Sequence, residues 1–198
     1  MHNISITAHA GALGTAPNTL DSIQAALAFG VDILEVDVRF LPDGAPALGH
    51  DNVTPRSPAL ETVFALLRGY ETRINLDMKE TSRTANIAQL VAQYGLQGRV
   101  FLTGIEEKHV PAVRGCGLPY YLNSADTAAA WALGALGPNI SYRQCTGELV
   151  RAAHKQNLLV SVWTVDSPMA MRQMCRLGVD NITTRRPDIL QRILRHDH

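Results

Sequence analysis

"ILEVDVRF", residues 33–40, decides how this chain is read. Its composition is that of a buried strand, yet Glu35 and Asp37 interrupt the apolar run. Strands covered on both faces are normally continuous in Val, Ile and Leu, and an ionised carboxylate without a partner is costly in such surroundings. Residues i and i+2 of a strand share a face, so the two carboxylates project into one space. A positive group is expected between them.

Outward from that run, short β-branched stretches recur along the chain, each followed by a segment of helical periodicity. The strand candidates are "SITAH", "ILEVDVRF", "RINLDMK", "RVFLTG", "PYYLN", "NISYR", "LLVSVWTV" and "NITTR". Between them lie amphipathic segments such as "TLDSIQAALAFG", "ALETVFALLRG" and "PMAMRQMCRLG". Several end in Gly, suited to a left-handed helix C-terminus, and several begin after Asn, Asp, Ser or Thr. Eight strand–helix units predict an α/β fold, a small (β/α)₈ TIM-like barrel of parallel strands. "LPDGAPALGHD" interrupts the count with a turn and a short extended piece ending at His50. An open doubly wound sheet also alternates strand and helix, and 198 residues is short for a barrel. The Gly-rich turn that such a sheet needs after its first strand is missing from "HAGALGTAPNT".

The chain is 46% hydrophobic, and no linker or low-complexity segment divides it, so residues 1–198 are expected to form a single barrel domain. Lys+Arg and Asp+Glu balance at 18 each without runs of one sign, which gives no nucleic-acid-binding face and points to small-molecule partners. Cys116, Cys145 and Cys175 lack metal-type spacing and read as ordinary buried thiols of a reducing compartment. With no leader-like N-terminus and no membrane-length apolar stretch, a cytoplasmic protein without stable membrane insertion is expected. Oligomeric state is left open.

In a barrel, function gathers where strands finish. His9 ends the first strand candidate, Glu35 and Asp37 lie on the second, His50 closes the extra piece, and Asp77 with Lys79 occupies the third. Asp77 and Lys79 repeat the i, i+2 spacing and can share the lumen with Glu35 and Asp37. Clustered carboxylates are ligands for one hard divalent cation, Mg²⁺ or Ca²⁺. Two imidazoles beside it suit general acid and general base work near neutral pH, and phosphodiester cleavage uses all of these parts. The competing explanations are buried ion pairs of Glu35 and Asp37 with Arg39, Lys79 or Arg73, and a Schiff-base aldolase using Lys79. A third is a barrel that binds a phosphorylated ligand without cleaving it.

At these residues the sequence resembles the glycerophosphodiester phosphodiesterase family. The stretches "AHAG", "APNTLDSIQAALAFGVDILEVDVRF", "LPDG" and "GHD" follow the family's order at similar spacing. "NLDMK" and "VSVWTVDSPMAMRQMCRLGVDNITTRRPDIL" are similar to its later segments, so the likeness spans nearly the whole chain. The resemblance implies His9 and His50 as the acid/base pair and Glu35, Asp37 and Asp77 as ligands of one Mg²⁺ or Ca²⁺. It implies that Lys79 contacts phosphate, that Trp163 lines the pocket mouth, and that the products are an alcohol and sn-glycerol 3-phosphate. The chain also departs from the family pattern. Ala10 replaces an arginine, Asp77 stands where Glu is usual, Arg185 stands where Asp is usual, and only a short helical stretch follows His50.

The remaining conspicuous residues receive structural expectations. Met169, Met171, Met174 and Cys175 are expected to pack against the barrel, and Trp131 to be core. His109 reads as a surface position, His154 and Lys155 as an exposed helix end, and His196 and His198 as a polar tail. Asn123, Ser141 and Tyr142 are possible pocket residues.

Overall fold

The computed structural model of the protein describes residues 4–196, so the tail position His198 lies outside them, and His196 closes the last helix. The strands are β1 (Ser5–Ala8), β2 (Ile33–Phe40), β3 (Pro46–Leu48), β4 (Arg73–Met78), β5 (Val100–Ile105), β6 (Tyr120–Leu122), β7 (Asn139–Ser141), β8 (Ser161–Trp163) and β9 (Asn181–Thr184). The helices are α1 (Leu20–Phe29), α2 (Leu60–Leu67), α3 (Thr84–Tyr94), α4 (Val110–Arg114), α5 (Thr127–Ala132), α6 (Gly147–Lys155), α7 (Pro168–Leu177) and α8 (Pro187–His196).

Eight strands run parallel in the order β6-β5-β4-β2-β1-β9-β8-β7. The two ends of that path meet where Leu122 N donates to Gly137 O at 2.9 Å and Leu136 N donates to Tyr120 O at 2.8 Å. A parallel bridge between Leu122 and Pro138 joins them as well, so the sheet nearly closes into the TIM-like (β/α)₈ barrel that the alternating pattern predicts. The open-sheet alternative is set aside.

β2 explains itself once its two faces are separated. Leu34, Val36 and Val38 pack outward in the main core with the helices, whereas Glu35 and Asp37 face the lumen, where Asp37 lines a cleft. Burying each such aliphatic side chain contributes about 1.5–3 kcal/mol. The lumen is layered. Ile33, Phe101 and Tyr121 plug its lower end, with the two rings edge-to-face at 5.5 Å. Above them, Thr7 donates to Asn181, which donates to Ser161, and Thr103 donates to Asn75, so these buried polar groups satisfy one another. The charged residues occupy the top layer.

β2 is long because its far end also pairs antiparallel with β3, through Val38↔Leu48, Arg39↔Ala47 and Phe40↔Pro46. This hairpin is the interruption read at "LPDG". It returns the chain to the barrel mouth, where Gly49 N donates to Asp37 O at 3.1 Å and delivers His50 beside the acidic layer.

Several expectations need correction. Trp131 is 63% exposed, because the six-residue α5 buries Ala130 and turns its neighbour outward. Met169 is 78% exposed at the start of α7, off the stripe on which Met171 and Met174 are fully buried and against which Cys175 packs. Cys145 is buried, but Cys116 and Cys175 are only partly so. His154 does sit on an exposed helix end, yet its Nε2 pairs with Asp180 Oδ2 at 2.9 Å. Among the described residues no helix is long and apolar enough to cross a membrane.

Candidate active site

The strand ends open into a cleft of about 510 Å³ whose lining includes all seven residues expected to act on substrate or hold a cation: His9, Glu35, Asp37, His50, Asp77, Lys79 and Trp163. Register brings them together. Glu35 pairs with Asn75 and Asp37 with Asp77 across β2 and β4, so alternate residues of both strands reach the same space. Glu35, Asp37 and Asp77 each present a carboxylate oxygen, all within 4.8 Å of one another.

The three carboxylates differ in surroundings. Glu35 is 3% exposed and accepts the Ala10 N–H at 2.7 Å. Burial, reinforced by the charges of Asp77 and Asp37, pushes its pKa well above the ordinary carboxylate range. Burial alone would raise Asp37 too, but hydrogen bonds from Lys79 and Asn18 outweigh it and hold that carboxyl below its usual value. The Thr103 hydroxyl, 2.9 Å from Asn75 Oδ1, also lies 3.1 Å from Asp77 Oδ1, and its one hydrogen is shared between the two. The seat of Asp77 exists because β5 has Gly104 at φ 73° beside it. A Cβ there would stand 2.8 Å from Asp77 Oδ1 and collide with the Met78 carbonyl.

Lys79 is the positive group expected between the carboxylates. Its Nζ lies 2.9 Å from Asp37 Oδ1 and 2.5 Å from Asp77 Oδ2. Burial would lower its pKa, but the two aspartates raise it above the ordinary value. An ammonium held this firmly is the wrong protonation state for Schiff-base chemistry, which removes the support for the aldolase alternative. Of the ion-pair partners weighed for Glu35 and Asp37, Arg39 instead donates from Nε to the His50 carbonyl and Arg73 to the Ser5 hydroxyl. Among the described residues no lysine or arginine pairs with Glu35. Three carboxylates therefore face one ammonium, and hard oxygen donors with that excess of negative charge fit a divalent cation.

The histidines sit at unlike depths. His9 is largely buried, its Nδ1 2.9 Å from the Ala10 carbonyl and 3.9 Å from Glu35 Oε2. A carbonyl only accepts, so Nδ1 carries the hydrogen in this contact, and Nε2 is the free base of the neutral ring. Burial lowers the His9 pKa, with Arg185 adding to the effect. His50 is exposed, and its Nδ1 stands 2.7 Å from Asp51 Oδ1. Trp163 ends β8 at the rim, 40% exposed.

Two residues escaped the sequence reading. Asn18 is buried and clamps Asp37, donating from Nδ2 to Oδ2 at 2.7 Å and accepting the Asp37 N–H at 3.0 Å. Its left-handed φ of 58° and the cap that follows, Thr19 accepting the Ser22 N–H, show how "PNT" does two jobs at once. The available signal was that Asn immediately precedes a helix cap. His109, expected at the surface, lines the cleft, because the turn after β5 folds it back so that its Nδ1 accepts the Glu106 N–H at 3.2 Å. Asn123 lines the cleft as anticipated, whereas Ser141 and Tyr142 do not.

A parallel barrel whose mouth gathers carboxylates, imidazoles and an ammonium is an enzyme architecture. Comparison with known proteins agrees. The profile of the Glycerophosphoryl diester phosphodiesterase family matches residues 9–90 and 99–189. A glycerophosphodiester phosphodiesterase of Caldanaerobacter subterraneus subsp. tengcongensis is 23% identical over 241 residues, covering 96% of this chain and 97% of its own. The crystal structure of a glycerophosphodiester phosphodiesterase from Parabacteroides distasonis superposes with a TM-score of 0.85 at 23% identity, over 99% of this chain and 98% of its own. That of an Oleispira antarctica phosphodiesterase, in complex with the product sn-glycerol-3-phosphate, does so with a TM-score of 0.85 at 18% identity, over 96% of each. The chain belongs to the glycerophosphoryl diester phosphodiesterase family, and so to the phosphoric diester hydrolases.

Proposed function

We propose that this protein hydrolyses glycerophosphodiesters to an alcohol and sn-glycerol 3-phosphate, using one divalent cation, Mg²⁺ or Ca²⁺, held by Glu35, Asp37 and Asp77. The observation that carries the reading is the meeting of three carboxylate oxygens within 4.8 Å in a cleft shared with two histidines. The product bound to the Oleispira antarctica relative supports the substrate class. A bound cation supplies neutralisation of the phosphoryl oxygens.

The chain's own groups do the proton work. His9, neutral near pH 7 and hydrogen-bonded through Nδ1, offers Nε2 as the base toward the attacking hydroxyl. His50, whose Nδ1 is held by Asp51, donates from Nε2 to the departing alkoxide. Lys79 adds positive charge to the phosphate side of the cleft, and Trp163 lines its mouth. Free cysteines fit a reducing, cytoplasmic setting.

The test is a panel of glycerophosphodiesters and lysophospholipids assayed with Mg²⁺, Ca²⁺ and chelator, reading both the alcohol and sn-glycerol 3-phosphate. The reading expects cation-dependent release of both products. Tight binding of the phosphodiester without turnover would replace it with the non-catalytic binding barrel.

A further inference from the structure

We infer that Arg185, oriented by Asp166, is a phosphate-binding residue of this site, gripping the substrate phosphate on the wall that carries His9. The inference rests on the phosphodiesterase reading above and names a residue that reading does not use.

Position comes first. β9 runs beside β1 with Ala8 opposite Thr184, and His9 N donates to Thr184 O at 2.9 Å, so Arg185 is the next residue up the wall from that contact. Thr183 and Arg185 alternate onto the same side, and both line the cleft with His9. Proximity also registers electrostatically, since the Arg185 charge is among the influences acting on His9.

Orientation comes from Asp166, in the loop after β8. Its Oδ1 accepts the Arg185 N–H at 2.8 Å and the Thr184 hydroxyl at 3.2 Å, while Oδ2 accepts Nη1 at 2.9 Å. Nε and Nη2 have no partner among the described residues, and the guanidinium is half exposed. An arginine fixed through one nitrogen, with further donors open to a cleft, presents the planar fork that matches two phosphate oxygens.

The charge inventory favours such a group beside the proposed cation. Three carboxylates crowd the cleft, and Lys79 already divides its ammonium between Asp37 and Asp77. The residue after His9 contributes no charge, because Ala10 is buried with its N–H on Glu35. Arg185 is the cation adjoining His9, where a phosphodiester anion must settle for that histidine to act. A purely structural Arg185–Asp166 pair, half exposed as it is, would contribute little to stability and nothing to substrate affinity.

The experiment compares wild type, R185Q and R185K for turnover of sn-glycero-3-phosphocholine with saturating divalent cation. Binding of sn-glycerol 3-phosphate is measured by calorimetry, and melting verifies the fold. R185Q is expected to lower kcat/KM about 10- to 100-fold and to weaken sn-glycerol 3-phosphate binding by a similar factor, the loss of one charge-assisted contact. R185K should recover only part of both, since an ammonium cannot reproduce the fork. R185Q with wild-type affinity and wild-type kcat/KM would overturn the inference while leaving the phosphodiesterase reading intact. Should the wild type cleave no glycerophosphodiester, that reading fails by itself. Arg185 then stands if R185Q weakens sn-glycerol 3-phosphate binding, and falls if the wild type does not bind it.

Discussion

Asn18 and Asp37 are joined by two hydrogen bonds running in opposite directions, Nδ2 to Oδ2 at 2.7 Å and Asp37 N to Oδ1 at 3.0 Å. The clamp fixes backbone and carboxylate together, so Asp37 has one orientation before any cation arrives. Groups that orient a metal ligand in this way are worth about 10–100-fold in affinity or activity. Replacing Asn18 with Gly removes the clamp without straining its left-handed backbone. N18G is expected to fold normally while cation affinity and kcat/KM fall by about that factor, read by calorimetry and steady-state assay. Wild-type values would show the clamp to be incidental.

Gly104 sets the position of Asp77 from the neighbouring strand. An alanine there meets Asp77 Oδ1 at 2.8 Å and the Met78 carbonyl at closer range, in a backbone conformation disfavoured for any L side chain. The conformation alone costs about 1–2 kcal/mol, and the collision adds to it. G104A should melt lower than wild type, and added cation should raise its melting temperature less than it raises that of wild type, because one ligand has been displaced. Equal cation-induced shifts would mean that Asp77 does not depend on Gly104.

Glu35 binds its proton more tightly than an ordinary carboxyl, so the proposed cation would have to displace that proton. The sign follows directly. Below its raised pKa Glu35 is neutral and a poor ligand, and above it the carboxylate is available. Cation affinity is expected to weaken as pH falls, beginning well above 4.5, with net proton release visible in calorimetry run in buffers of different ionisation enthalpy. Affinity flat down to pH 4.5, with no proton release, would remove Glu35 from the ligand set.

His9 should control the acid limb of the rate at saturating cation. Burial lowers its pKa from 6.5, so the neutral form persists further into acid than that of a free imidazole. Activity is expected to fall with decreasing pH at a midpoint below 6.5. H9Q and H50Q should each lose about 10²–10⁴-fold in kcat. An H9Q variant with near-normal turnover would reassign the base.

Much of this was legible in the sequence for definite reasons. Seven of the eight barrel strands announce themselves as runs containing β-branched residues, and β6 as the aromatic pair of "PYYLN", while the carboxylates of "ILEVDVRF" and "INLDMK" mark their lumen side by alternation alone. The short α4 was not, because a five-residue helix carrying Pro111 shows no periodicity. Trp131 was misplaced because its alanine neighbours define no apolar stripe to orient it. His109 and Asn18 owe their places to backbone turns, a 3-10 turn after β5 and a left-handed residue before α1, which composition does not reveal. The Lys79 bridge was anticipated as an alternative to the cation, and it occurs together with a cluster that fits one.

That coexistence sets the decisive measurement, a crystal structure of the protein soaked in calcium. The account predicts a single ion with oxygens of Glu35, Asp37 and Asp77 at about 2.3–2.6 Å, and Lys79 Nζ drawn away from at least one of its two aspartates. A structure with no ion among these carboxylates, and with Lys79 still bridging Asp37 and Asp77, would contradict it.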